Sequence, residues 1–234
     1  MKDILHELYI LNKHNLAPPA ELVCGEKYFA ALNEQGNLGV CANLESHISL
    51  NKEILQHPDF SNYHHRVAVN AWINATVNYK NRYKKEIDIF DKIDFNAYKS
   101  IIMVGYFKSL ASKFKEKAIP LTIFDFDKTN DQISPIEAQS AAIANADIVI
   151  ATSTTLANNT LSQIAAWKNN RCKLIMLGPS TPLSAEFASL INVTYLFGAT
   201  FQPMPQNVIA LIEAGAGTKR FLPYMKKVYL ALNI

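Results

Sequence analysis

The stretch Lys173-Leu174-Ile175-Met176-Leu177-Gly178-Pro179-Ser180-Thr181-Pro182-Leu183 decides the fold. A short apolar run that stops at a proline-stiffened, hydroxyl-rich loop reads as a buried strand and the turn beyond it. The same grammar occurs upstream, where Asp147-Ile148-Val149-Ile150-Ala151 runs into Thr152-Ser153-Thr154-Thr155. Two buried strands that each end in hydroxyls point to one ligand site at the carboxyl edge of a parallel sheet.

Outward from these strands, the pattern alternates. Strands are expected over residues 100–104, 121–126, 147–152, 173–177 and 193–197. Helices are expected up to 117, over 135–145, up to 168, over 184–190 and over 206–213. Repeated βα units of this kind predict an α/β fold with a doubly wound, Rossmann-like parallel sheet, its strand carboxyl ends on one edge. A last helix is expected over 219–232. The first part of the chain reads differently: an amphipathic helix over 2–14, a hairpin of strands 21–32 and 38–43, a short helix or loop over 51–57, and a markedly apolar helix over 63–79. Residues 80–94 are charged and irregular. The expected division is therefore a smaller α+β domain, 1–92, and a Rossmann-like ligand-binding domain, 93–234.

Composition narrows the partners. The chain has 234 residues, a net charge of +3 and 18% charged residues, below the roughly 25% usual for soluble proteins. So weak a basic balance favours neither nucleic acid nor membrane as partner, and the sparse charge makes a homodimer plausible. Lys219, Arg220, Lys226 and Lys227 form one basic cluster, read as a solvated helix face. Cys24, Cys41 and Cys172 are far apart and form no C-x-x-C, so neither a zinc knuckle nor a redox motif is indicated; a reducing cytoplasm fits. The N-terminus is no signal peptide, and no apolar run reaches the roughly 20 residues of a membrane span.

Candidate residues gather at the strand ends. Val104-Gly105-Tyr106-Phe107 lacks the G-x-G-x-x-G of a dinucleotide site, because Tyr106 and Phe107 would obstruct a pyrophosphate. Gly105 marks either backbone approach to a ligand or tight strand-to-helix packing. Asp125 and Asp127 close the next strand, and either a ligand contact or a helix cap suits Asp125. Thr152, Thr154, Thr155, Asn158 and Thr160 make a polar loop that runs into a helix, a cradle for carboxylate or phosphate or a plain N-cap. Gly178, Pro179, Ser180 and Thr181 make a second, stiffer cradle or a capped turn. On the apolar helix Asn70 and Asn74 share a face, and a buried Asn needs partners; Asn74 would face the second domain. His6, His14, His47, His57, His64 and His65 lack metal-ligand spacing. No Ser-His-Asp or Cys-His arrangement is supported, nor a Schiff-base lysine.

V-G-Y-F at 104–107, A-D-I-V-I-A-T-S-T-T-L-A-N-N-T at 146–160, L-G-P-S-T-P-L at 177–183 and Gly198, Gly215 and Gly217 resemble the bacterial and archaeal heavy-metal chelation domain family, a family of unknown function. The helix A-W-I-N-A at 71–75 is similar to one in that family's N-terminal domain. The resemblance implies an enolase N-terminal-like domain joined to a Rossmann-like domain, with a site in the cleft between them at Asn74, Gly105, Tyr106, Phe107, Thr154, Thr155, Asn158, Thr160, Gly178, Pro179, Ser180 and Thr181. Two positions depart from the family pattern: Ser153 stands where a glycine is usual, and Asp125 follows Phe124 where the family often has Glu. Ser153 narrows the allowed backbone. The leading expectation is binding of a small anionic or metal-chelating ligand in the interdomain cleft, linked to heavy-metal or corrinoid handling, any metal ion arriving as a chelate. The alternatives are a Rossmann-type transferase or lyase using a nucleoside cofactor such as S-adenosylmethionine, and a non-catalytic partner protein.

Overall fold

The computed structural model describes residues 2–45, 52–80, 88–126, 131–203 and 205–232; His47, Asp127 and residues 81–87 of the expected linker lie outside these. The chain opens with α1 (Ile4–Asn12), whose N-cap Asp3 accepts from the N–H groups of Leu5 and His6. An antiparallel sheet follows, in the order β1 (Pro19–Cys24), β2 (Tyr28–Asn33), β3 (Leu38–Ala42). The single strand expected over 21–32 is thus two. Gly25 makes the break: its N–H bonds to the Tyr28 carbonyl at 2.9 Å, and a Cβ there would lie 2.0 Å from the Ile212 carbonyl oxygen.

Helix α2 (Tyr63–Val77) packs on that sheet. Every residue from Arg66 to Val77 is buried, so this helix is enclosed on all sides, as its near-continuous apolar sequence requires. Small residues allow the closeness. A Cβ on Gly39 of β3 would stand 2.0 Å from the Ala71 oxygen and 2.2 Å from the Ala75 nitrogen, so backbone lies directly on backbone. Side-chain amides complete the junction: Asn33 Nδ2 donates to the Ala75 carbonyl at 2.9 Å and Asn74 Nδ2 to the Val40 carbonyl at 3.0 Å.

The second sheet is built from β4 (Ile101–Val104), β5 (Thr122–Phe124), β6 (Ile148–Thr152), β7 (Lys173–Leu177), β8 (Tyr195–Phe201) and β9 (Met225–Ala231), in the order β5-β4-β6-β7-β8-β9. All pairs are parallel except β8–β9. Strand β4 sends its successor to one side and β6 to the other, so the order reverses there, the usual place for a ligand in such sheets. Alternate side chains serve opposite faces. Ile101, Met103, Ile148, Ile150 and Ile175 pack with α3 (Ile89–Lys92) and α4 (Lys108–Glu116). Ile102, Val149, Leu174 and Met176 pack with α5 (Gln139–Ala144), α7 (Leu161–Trp167) and α8 (Glu186–Leu190), and in the same cluster with Leu5 and Leu8 of α1 and Val67 and Ile73 of α2. This is the expected α/β fold, a Rossmann-like, mostly parallel sheet beside a smaller α+β part.

Two further elements differ from expectation. The helix expected to run up to 168 is two, α6 (Thr154–Ala157) and α7, because Asn159 turns left-handed at φ 61°, a conformation Asn tolerates better than most residues. The final helix is shorter and ends in a strand. After α9 (Gln206–Glu213), α10 (Thr218–Phe221) gives way to a single 3-10 turn holding Pro223, and β9 follows. Val228 is buried while Lys227 is exposed, the period-two pattern of a strand against a core. The four basic residues are therefore split between a helix and a strand and share no helix face.

Arg66 locks the two parts together. Nε donates to the Ala157 carbonyl at 2.7 Å; Nη2 donates to the Leu156 carbonyl at 2.8 Å and Asp3 Oδ1 at 3.2 Å; Nη1 donates to the Phe60 carbonyl at 3.1 Å and to Asp3 Oδ2. Every N–H of the guanidinium is thus engaged. Replacing Arg66 with Met should lower the urea-unfolding free energy by about 3–5 kcal/mol, because three carbonyls and Asp3 lose their donor. A loss under about 1 kcal/mol would mean that the guanidinium is structurally dispensable.

Candidate ligand site at the carboxyl edge

The carboxyl ends of β4, β6 and β7 bring the expected loops side by side. Gly105 follows β4 at φ +94°, and a Cβ there would meet Thr152 Cγ2 at 2.5 Å. Glycine is needed twice over, for the backbone angle and for the approach of β4 to β6. Next, the Tyr106 N–H donates to Asp125 Oδ2 at 2.5 Å, and the Tyr106 hydroxyl donates to Gln132 Oε1 at 3.1 Å. Asp125 is therefore occupied in ordering the turn after β4. Phe107 is the N-cap of α4, and no side chain caps that helix. Lys108 and Ser109 follow, both exposed.

At the end of β6, Thr152 Oγ1 accepts from the Thr154 hydroxyl at 3.2 Å and, more weakly, from the Thr154 N–H at 3.5 Å. That leaves the Thr152 proton to donate outward. Both side chains are half-buried. Thr155 turns inward and donates to the Thr152 carbonyl at 2.6 Å. Asn158 Oδ1 accepts from the Thr160 N–H at 3.2 Å and the Thr160 hydroxyl at 2.7 Å, closing a local turn. Ser153 sits at φ −63°, ψ −15°, ordinary right-handed backbone that any residue adopts. Its N–H reaches the Leu177 carbonyl at 2.9 Å. The positive φ falls one turn away, at Gly178 (φ +135°), where a Cβ would stand 2.5 Å from Ser153 Oγ.

Beyond Gly178 the hydroxyls face inward. Ser180 Oγ accepts from the Ala42 N–H at 2.8 Å. The Ser180 carbonyl takes Asn70 Nδ2 at 3.2 Å and the Thr181 carbonyl takes Asn78 Nδ2 at 3.1 Å, while the Leu183 N–H donates to Asn78 Oδ1 at 2.7 Å. Ser180, Thr181, Asn74 and Thr155 are all at most 2% exposed. The second cradle is thus a seam that joins α2 to the sheet. The groups left at the open edge are Gly105, Tyr106, Phe107, Asp125, Thr152, Thr154, Gly178 and Pro179, with Asn158 and Thr160 half-buried beside them. Arg66 and Asn78 went unread in the sequence, although Arg66 is the one charged side chain in the apolar run 66–77.

Metal-binding chemistry is thin here. Among the described residues no three His, Cys, Asp or Glu side chains gather where they could hold an ion. Burial pushes the Cys41 thiol up to about 12, against hydrogen bonds from Asn70 and Ser180 and the charge of Arg66, and pushes Cys172 up to about 11. Neither is a thiolate at neutral pH. His64 Nε2 lies 3.1 Å from Glu45 Oε2, and His65 Nδ1 accepts from the Asp59 N–H at 2.9 Å, both on exposed surface. The described residues therefore gather no set that fits a resident heavy-metal ion. Among the described residues no helix is long and apolar enough to cross a membrane.

Comparison with solved structures supports the fold. A DUF364 family protein of unknown function from Pyrococcus horikoshii is similar at 20% identity and a TM-score of 0.81, over 98% of each chain. Another, from Desulfitobacterium hafniense DCB-2, is similar at 20% identity and a TM-score of 0.75, over 97% of this chain and 98% of its own. No curated protein matches the chain. The family model DUF364, described as "Putative heavy-metal chelation", matches residues 88–231. Those residues include every strand of the large sheet and each open-edge residue named above, and the chain belongs to the DUF364 family.

Proposed function

We propose that the protein binds a small anionic ligand, such as the anionic chelate of a heavy metal, at the carboxyl edge between β4 and β6. The carrying observation is the start of α4. This nine-residue helix begins at the strand-order reversal with no side chain capping it, so the N–H groups of its first turn are available to an outside acceptor. Thr152 at the end of β6 and Thr154 at the start of α6 stand beside it, with a hydroxyl proton to donate, and Lys108 adds a positive charge at the rim. Gly105 serves the same reading by packing, since without a Cβ it lets Thr152 lie directly against the turn that leads into α4. The metal in this reading is cargo. Its own chelator supplies the ligating oxygens or nitrogens, and the protein recognises the negative charge that remains.

Thermal unfolding with citrate, ferric citrate, inorganic phosphate, nickel chloride or adenosine tests this. Citrate or its ferric complex should raise Tm by roughly 3–6 °C at about ten times Kd, and Thr154→Ala or Lys108→Ala should reduce the rise. Stabilisation by nickel ions alone, by adenosine alone, or by none of the five would overturn it.

The division between open edge and sealed seam gives a companion test without ligand. Ser180→Ala removes the acceptor of the half-buried Ala42 N–H and should cost about 1–3 kcal/mol of unfolding free energy. Thr154→Ala should stay within about 0.5 kcal/mol of wild type. Equal effects would show that the two hydroxyls share one role.

A further inference from the structure

We infer that a water molecule is sealed inside the protein between α2 and the turn after β7, held by Asn70 Oδ1, Asn74 Oδ1 and Thr181 Oγ1. The site is separate from the open edge and does not depend on any ligand there. These three side-chain oxygens are buried and have no hydrogen-bond partner; Asn70 and Thr181 are 0% exposed and Asn74 1%. Buried acceptors are seldom left unpaired, because each then carries its full desolvation cost.

The three residues line one seam. Asn70, Asn74 and Asn78 lie at i, i+4 and i+8, so they share one side of α2. Asn70 holds the Ser180 carbonyl and Asn78 holds the Thr181 carbonyl, with Asn74 between them on the helix. Asn78 is saturated: Nδ2 serves the Thr181 and Ala199 carbonyls and Oδ1 takes the Leu183 N–H. The other two amides cannot be turned over to help. Asn70 Nδ2 serves both Cys41 Sγ at 3.3 Å and the Ser180 carbonyl at 3.2 Å, and Asn74 Nδ2 serves the Val40 carbonyl. A flipped amide would set oxygen against the Ser180 carbonyl at Asn70 and against the Val40 carbonyl at Asn74.

Water matches what is left over. It donates two protons, one to each amide oxygen, and accepts one from the Thr181 hydroxyl, so donors and acceptors balance. Three bonds to otherwise unpaired groups is the usual valence of an internal water. A sodium or potassium ion also takes neutral oxygens. Yet it would be buried among uncharged groups, one helical turn from the Arg66 guanidinium, with no counter-charge among the seam residues named here. Water therefore occupies the seam, directly behind the Gly178–Pro179 turn, and couples α2 to β7 where direct contact falls short.

Thr181→Val tests this through the sign of its effect. The side chains are nearly isosteric, so folding is preserved. If water is bound, the variant removes its donor and Tm should fall by roughly 2–4 °C. If the hydroxyl is unpaired in a dry seam, Val relieves a buried polar group and Tm stays level or rises, which overturns the inference. A crystal structure of the wild-type protein supplies the second readout. Density at about 2.7–3.1 Å from all three oxygens is expected. A direct Thr181–Asn bond, an empty seam, or a peak at about 2.4 Å with a Tm that follows sodium or potassium concentration would each refute a water.

Discussion

A guanidinium with every N–H paired inside the protein constrains the rest of this fold. Arg66 gathers Asp3 before α1, Phe60 before α2, and Leu156 and Ala157 at the end of α6. A buried charge without partners would cost more than the fold can spare, so these three segments must meet at Arg66. Their meeting sets where α2 lies on the parallel sheet. It also fixes the turn that carries Thr152 and Thr154, because α6 is held from behind by its last carbonyls. The open edge is thus shaped by a side chain that never reaches it.

The same logic explains why α2 is both apolar and dotted with Asn. An enclosed helix needs an apolar surface, but it crosses two places where other backbone ends abruptly: the edge of β3, and the turn between β7 and α8. Carbonyls and N–H groups at such ends have no ladder to join. Asn70, Asn74 and Asn78 supply amides there, each of which can donate and accept. Ser180 does likewise for Ala42, extending the pairing of β3 by one hydroxyl. Polar residues in this interior are the means by which two sheets of different type share one core.

The large sheet was legible in the sequence because buried parallel strands are plain apolar runs bounded by Gly, Pro and Ser, and residues 101–104, 148–152 and 173–177 follow that form. Helix 206–213 was legible to the residue, between Pro205 and the glycines that follow. Strand β9 was not, because Thr218 to Phe221 does begin helically and the period-two signal starts only after Pro223. The site was half legible. Sequence shows that Thr152, Thr154, Ser180 and Thr181 are hydroxyls at strand ends, which puts them at the right edge. It does not show which way each hydroxyl turns, because that is decided by a partner far along the chain, Ala42 for Ser180 and none for Thr154 beyond its own loop. Arg66 was hidden for the same reason: its meaning lies in acceptors 63 residues before it and 91 after.

Charge is the basis for the proposed guest at the edge. The one carboxylate named there, Asp125, takes the Tyr106 N–H and orders the β4 turn, so it is poorly placed to serve as a metal anchor. Of the three thiols, Cys41 and Cys172 are each raised by burial to where they stay protonated, and Cys24 ends β1 in the other sheet. What the edge offers instead is donors: the first turn of α4, a threonine proton and a lysine. Donors of this kind repel a bare cation and attract an anion. Under the proposed reading, the family description of heavy-metal chelation is met when the metal comes already wrapped in ligands whose charge exceeds its own.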